Sequence, residues 1–319
     1  MIVKKRTVPY QLRALEALER RLPKHHPKRN EVENELFKRR EEYEGEKLLD
    51  EFLSYIDLYL RSYYIYHDVR LKIDDLLIQL DALVMTPSFF LIIKKIHYCG
   101  TLYFDEFEQL IQTVNGKEKG LPNPIFEADW LCRKLKLWFA QYDVEHIPIE
   151  FLVVNTNERT ILKSALEHPL PVVHVHTLPE KVDQLARIYS HPILSEKKLE
   201  QLKQQILLHH LPHQPAILPL YNIQPNELIT GVYCPECNNF SMERVWGKWI
   251  CPHCNYSSKT AHEQAIFDYL YLVEPFITNQ KCRSFIQCPS IRVTFDLLSN
   301  MPLERKGGSK HRKYYLRVE

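Results

Sequence analysis

Apolar residues recur at helical spacing through the first sixty positions. Leu12, Leu15, Leu18 and Leu22 mark one amphipathic stretch, and a second starts near Asn30 and runs past Val32, Leu36, Tyr43 and Phe52. The period then shortens. Tyr63 to Val69, Leu76 to Met85, Phe89 to Lys95 and Thr101 to Phe104 read as consecutive strands with tight connections. The nearest approach to a membrane-length apolar run, Ala82 to Ile93, is interrupted by Thr86-Pro87-Ser88 and reads as two strands and a turn. The pattern then predicts a helix from about Pro124 to Tyr142 and a strand from Pro148 to Val154. A short strand from Val172 to His176 and two helices between about 179 and 209 follow. Pro212, Pro215, Pro219 and Pro225 mark a linker. Helix, several strands, helix, strand is the order of a mixed α/β core.

Beyond the linker the cysteines take over. Cys234-Pro235-Glu236-Cys237 is followed after 13 residues by Cys251-Pro252-His253-Cys254. Two C-x-x-C knuckles at this separation, joined by a hairpin through Trp246-Gly247-Lys248-Trp249, form the zinc-ribbon pattern: four thiolates closing a structural zinc shell. Cys99, Cys132, Cys282 and Cys288 have no such spacing and read as small core residues. Ala265, Ile266, Tyr269 and Leu272 then predict a helix over 261–273. Thr278 and Ser290 look like N-caps of two more helices, separated by a turn at 287–290. A glycine-tipped basic segment closes the chain. From 301 to 319 there are six Lys/Arg against two Glu. Helix, turn, helix and basic hairpin is the winged helix-turn-helix order, which makes Arg305, Lys306, Lys310, Arg312 and Lys313 candidate nucleic-acid contacts.

Composition narrows the classes. The 319 residues are 45% hydrophobic and 26% charged, enough for two or three globular domains. The N-terminal Met-Ile-Val-Lys-Lys-Arg has no apolar segment behind it, so no secretory leader is expected, and the expected location is the cytoplasm without membrane attachment. The 8 glycines offer no dinucleotide turn, phosphate loop or nucleophile elbow, which excludes the usual nicotinamide enzymes, P-loop ATPases and serine hydrolases. A net charge of +2 leaves any nucleic-acid affinity to local patches. His25-His26, the pair His174 and His176 on one expected strand face, and the group His209, His210 and His213 lack a convincing third ligand and read as ordinary histidines.

Tyr43-Glu44-Gly45-Glu46, His67-Asp68, Gln79 to Leu83 and Gly100 to Asp105, in this order, resemble the NERD, or nuclease-related, domain over roughly residues 37 to 160. The remainder resembles the longer NERD proteins of bacilli, which carry a C-terminal zinc ribbon. The family is similar to restriction-endonuclease-like enzymes of the PD-(D/E)xK type. The resemblance implies Mg or Mn held by a helix glutamate (Glu46) and a strand aspartate (Asp81), followed by a Glu-x-Lys pair on the next strand. Phosphodiester hydrolysis needs such converging carboxylates and a cation near the phosphate. Counting back from Gly100, that pair falls on Lys94 and Ile96, and a slip of one residue would put Ile93 at the acid position. Either register loses the carboxylate, so the site Glu46, Asp81, Lys94 reads as degenerate. Asp74, Asp75, Asp105, Glu106 and Glu127 are the candidates to replace it. His67 reads as support for the strand beside the site.

The predicted architecture is α/β (mixed α+β), a restriction-endonuclease-like core with N-terminal helices, a zinc ribbon and a C-terminal helix-turn-helix-like domain. Its parts are a helical arm (1–36), the nuclease-related domain (37–160), a helical extension and linker (161–229), the ribbon (230–258) and a winged-helix-like domain (259–319). The leading functional expectation is a DNA-binding or DNA-processing protein with an impaired nuclease centre. The alternatives are an active Mg- or Mn-dependent nuclease using a migrated carboxylate, and a non-enzymatic scaffold for a protein partner.

Overall fold

The computed structural model describes residues 1–308 and 311–317. The chain opens with strand β1 (Ile2–Lys4) and helices α1 (Tyr10–Arg21) and α2 (Arg29–Ser54). Strands β2 (Tyr64–Ile73), β3 (Leu76–Met85), β4 (Phe90–Ile96), β5 (Thr101–Phe104), β6 (Leu110–Val114) and β7 (Lys117–Leu121) follow. Helix α3 (Pro124–Ala140) leads to β8 (Ile149–Asn155), β9 (Ile161–Ser164) and β10 (Val172–His174). Helices α4 (Leu178–Ile188), α5 (Glu196–His209) and the single turn α6 (Ile217–Leu220) come next. The last third holds a three-stranded ribbon, β11 (Glu243–Val245), β12 (Lys248–Ile250) and β13 (Ser257–Ser258), then α7 (Ala261–Leu272) and β14 (Phe276–Ile277). Helices α8 (Asn279–Ile286) and α9 (Ile291–Asn300) and the hairpin β15 (Leu303–Lys306) and β16 (Lys313–Leu316) complete it. No described helix is long and apolar enough to cross a membrane.

The fold is mixed α/β, and its elements gather into two compact units: Met1–Thr7 with Glu41–His213, and Val8–Arg40 with Gln214–Glu319. In the first, a six-stranded mixed sheet runs β1-β2-β3-β4-β8-β10, and a four-stranded sheet runs β7-β6-β5-β9. β4 and β8 are parallel, joined through α3, as a crossover connection requires. Both faces of the large sheet are covered. Tyr66, Leu83 and Ile92 pack with Leu131, Leu135 and Phe139 of α3 and Leu199 and Leu202 of α5. On the opposite face Val84, Leu91 and Ile93 pack with Leu49 and Leu53 of α2 and Leu178 and Val182 of α4. This double burial explains why β4 reads as a continuous apolar run without alternation.

The second unit has one core joining the ribbon to α7, α8 and α9, with Trp249, Ile266, Ile286, Leu298 and Tyr314 among its buried members. Thr278 and Ser290 cap α8 and α9 through the Lys281 and Val293 amides. Strands β14, β16 and β15 form a three-stranded antiparallel sheet behind these helices. Helix α1 contributes here too. Its Arg21 is fully buried, donates to Asp268 of α7 at 2.7 Å and to the carbonyls of Ile229 and Gly231, and lies between the rings of Phe240 and Phe285.

Several local expectations change. Residues 2–4 form a sheet strand inside a stretch whose pattern is helical. β2 extends to Ile73, past the Val69 expected. Cys99 is exposed, whereas Cys132, Cys282 and Cys288 are buried as core residues. β10 ends at His174 and His176 lies in the following 3-10 turn, so the two do not share a strand face. His176 instead meets Glu158 at 3.0 Å.

Candidate functional site

The first unit places its carboxylates where α2 crosses the ends of β3 and β4. Gly45 makes the crossing close: a Cβ there would stand 2.5 Å from Thr156 Oγ1 and 2.6 Å from His97 Nδ1. One residue later Glu46 turns toward the sheet, and Asp50 follows one helical turn on. Asp81 arrives through an irregularity of the hairpin. His67 pairs with Ala82 and Val69 with Leu80, but Asp68 and Asp81 between them do not pair, and Asp68 takes a φ of 52°. The alternation changes phase across this break, since Leu80 and Leu83, three apart, enter the same core. Asp81 thus leaves the ladder, and its carboxylate accepts the Lys95 N–H at 2.7 Å.

The two lysines of β4 part company. Ile93 packs against Leu49 and Leu53 beneath α2, and Lys95, two positions on, shares that face. Its ammonium lies 3.6 Å from Glu46 and donates to the Glu42 carbonyl at 2.9 Å. Lys94 points to the α3 side and pairs with Glu127 at 2.5 Å. The sequence count from Gly100 set Lys94 on the face of Glu46. Strand alternation, fixed by Ile93 in the core, puts Lys95 there instead, with Ile93 itself at the acid position.

Arg6, just past β1, is a residue that no motif marked. It lies 3.3 Å from Glu46 and 2.9 Å from Asp50 and donates to the Asp81 carbonyl at 3.1 Å. His67, buried, meets Asp50 at 2.9 Å through Nδ1. The signal for Asp50 was its i+4 spacing from Glu46; nothing local to the N-terminus points to Arg6. Of the other replacement acids, Asp105 caps its own loop by accepting from the Phe107 and Gln109 amides, and Asp75 faces Lys72 at the far hairpin turn with Asp74. Glu106 adjoins the Asp105 turn.

Charge balance decides what this cluster can do. Burial raises the pKa of Glu46 against the pull of Arg6 and Lys95, and raises that of Asp81 against Lys94, the Lys95 amide, Lys95 and Arg6. Burial would raise Asp50 too, but hydrogen bonds from His67 and Arg6 and the Arg6 charge outweigh it and leave it lowered. Burial would lower Lys94, but Asp81 and Glu127 hold it raised. Glu46 and Asp50 are held in ion pairs, and Asp81 is held by the Lys95 amide.

The second candidate centre is the cysteine cluster. Among the described residues only Cys234, Cys237, Cys251 and Cys254 bring at least three ligand atoms together, all within 4.8 Å of one another. Cys234 and Cys254 sulfurs are 3.6 Å apart and those of Cys237 and Cys251 3.4 Å. Sulfurs around one zinc at about 2.3 Å stand about 3.8 Å apart, so the cluster is compatible with a closed zinc shell. Each knuckle turns alike: Asn238 donates to the Cys234 carbonyl and Asn255 to that of Cys251, both at 2.9 Å, and both asparagines are left-handed. Burial would raise the Cys251 thiol, but the Cys254 and His253 amides pull it down to about 6.

The basic candidates divide. Arg305 turns to the Ser299 carbonyl, Arg312 lies over the Phe295 ring, Lys306 over Tyr315 and Lys313 over Phe276. Lys310 lies outside the described residues.

No curated protein and no solved structure matches the chain. One family model does. Residues 41–156, which span Gly45, Glu46, Asp50, His67, Asp81, Lys94, Lys95 and Thr156, match the nuclease-related domain (NERD), and the chain carries a nuclease-related domain there.

Proposed function

We propose that the chain is a nucleic-acid-binding protein whose nuclease-related domain engages DNA without metal-dependent cleavage. One observation carries this reading: Glu46 is held between the Lys95 ammonium and the Arg6 guanidinium, while the position two before Lys95 is the buried, apolar Ile93. A divalent ion needs two or three uncommitted carboxylates, and Glu46 and Asp50 are already paired with the protein's own cations. The positive charges of Lys94 and Lys95 act on Asp81 and oppose a divalent ion beside it. The zinc is structural in this reading, held by Cys234, Cys237, Cys251 and Cys254, and its reduced thiolates fit a cytoplasmic protein. The elements from α7 to β16 follow the winged helix-turn-helix order and would supply a further DNA contact.

The test pairs cleavage with binding. The unmodified chain is expected to bind labelled DNA equally with and without added Mg²⁺ or Mn²⁺ and to leave it intact. Ile93→Glu, which returns a carboxylate two positions before Lys95, is expected to add Mn²⁺ binding; Arg6→Ala frees Glu46 and Asp50 by a second route. Cleavage by the unmodified chain that needs Mg²⁺ or Mn²⁺ and disappears in Asp81→Ala would overturn the reading. Asp50, gathered with Glu46 around Arg6, would then be the migrated carboxylate.

A further inference from the structure

The C-terminal sheet has two unlike faces. Across its strands Ile277 pairs with Tyr314 and Tyr314 with Arg305, while Phe276 pairs with Tyr315 and Tyr315 with Glu304. Ile277 and Tyr314 are buried in the core with α7, α8 and α9. Phe276 and Tyr315 therefore face the other way. Both are partly exposed, and their ring centroids stand 5.8 Å apart. Three ammonium groups gather over these rings. Lys313 is 3.9 Å and Lys281 5.1 Å from the Phe276 centroid, and Lys306 is 5.1 Å from that of Tyr315. Lys281 also meets Glu274, and Lys306 meets Glu304 at 3.2 Å, so the acids nearby tether the lysines at the rim.

The helix that a winged helix-turn-helix would offer to a duplex is built differently. The exposed residues of α9 include Ile291, Arg292, Phe295 and Asp296, and Arg312 lies over Phe295, so one net positive charge stands beside two apolar side chains. Such a face gains little from a duplex, whose affinity comes from phosphate neutralisation. The sheet combines three cations with two rings. A partner matching it must present flat π surface and negative charge in alternation. A duplex has the charge but keeps its bases stacked inside; an unpaired strand has both.

We propose that this sheet face binds single-stranded nucleic acid, with bases stacking on Phe276 and Tyr315 and Lys281, Lys306 and Lys313 meeting the flanking phosphates. The proposal rests on the nucleic-acid reading above but uses residues of the other unit, so the two can fail separately. The test is anisotropy of the full chain, without added Mg²⁺ or Mn²⁺ and without chelator, with a labelled oligothymidylate of about 16 nucleotides, within the site sizes of single-strand binders, and with a duplex of equal length, over a range of salt. Tyr315→Ala is expected to weaken single-strand binding about tenfold or more, since one stacked base contributes on the order of 1–3 kcal/mol. Tyr315→Phe should restore it. Lys306→Ala with Lys313→Ala, at solvent-accessible positions, should reduce the salt slope for the single strand by about 1.4, or about 0.7 per phosphate contact. Unchanged single-strand affinity and slope in these variants would overturn the proposal, and loss confined to Lys94→Ala or Lys95→Ala would locate binding at the nuclease-related site instead. If the unmodified chain binds neither probe, both readings fall.

Discussion

At the scale of single residues, the three acids of the nuclease-related site differ in sign. Asp50 titrates below its ordinary value, because His67 and Arg6 bind its charged form, so it contributes stability above the unfolded carboxylate pKa of about 3.9. That contribution fades as pH falls from there through the lowered folded value. Glu46 and Asp81 titrate above their ordinary values through burial, so their charged forms oppose folding at neutral pH, and the opposition is relieved as they protonate in acid. Asp50→Asn is therefore expected to cost about 1–3 kcal/mol at pH 7 and less at pH 3, as expected when a partner of buried charges is removed. Glu46→Gln should cost less than about 0.5 kcal/mol at pH 7, in the range of a neutral substitution. Urea melts of both variants at the two pH values check the contrast. Equal losses would mean that the ion pairs on Glu46 outweigh its burial. Glu46 and Asp81 were legible from motif residues around them. Arg6 was not, because it is forty residues from Glu46 along the chain and enters only once β1 joins β2.

At the scale of elements, periodicity located the helices and strands well wherever a burial pattern spans a whole element, as in β3, α3 and α7. It failed at β1, β6, β7 and β14, which are short or exposed and carry no period long enough to read. It gave the right strand for the lysines of β4 but not which of them meets Glu46: Lys95 does, while Lys94 meets Glu127 and acts on Asp81. A more consequential gap is partner choice. The stripe on α1 marks a buried face without saying against what, and Arg21 in that stripe looks like a surface charge. In the structure it bridges α1 to α7 through Asp268, which also receives Arg20 at 2.9 Å and Gln264 at 2.9 Å. Burial pulls Arg21 below the usual guanidinium range against the attraction of Asp268, and its Nη2 has no hydrogen-bond partner. Such a cluster is costly to break and cheap to replace. Asp268→Asn is expected to destabilise the unit by about 3 kcal/mol or more, through the stranded Arg21 charge. Arg21→Leu with Asp268→Leu should recover most of that loss. A cost below about 1 kcal/mol for Asp268→Asn in equilibrium unfolding, the size of an exposed ion pair, would show that Arg20 and Arg21 find solvent instead.

At the scale of the whole molecule, each compact unit is assembled from separated segments: residues 1–7 join 41–213, and residues 8–40 join 214–319. Local pattern carries no information of that kind, because burial periodicity is the same whichever segment supplies the other side. The cysteine spacing, by contrast, encodes its own closure, so the sulfur cluster was legible from the sequence while the core around it was not. A zinc ion bound at that cluster would therefore bear on the stability of the whole second unit. Cys234 and Cys251 are fully buried beside Trp249, Ile266 and Ile286, so four thiolates without an ion would leave repelling charges, or thiols with unmet bonding, in the wall of the second unit's core. The tryptophans provide a reporter for each unit. Trp138 is buried against Phe139 in the first, and Trp249 is buried and donates to His262 at 3.1 Å in the second. Variants that keep only one of them, the others changed to Phe, separate the signals. A strong zinc chelator is expected to shift Trp249 emission to the red and lower its unfolding midpoint, with readdition of Zn²⁺ restoring both, while Trp138 keeps its emission and midpoint. Helix α2 gives residues to both units: if Trp138 follows Trp249, the chain unfolds as one cooperative body. If neither responds, the four thiols hold the ribbon without metal, and zinc has no structural part in this protein.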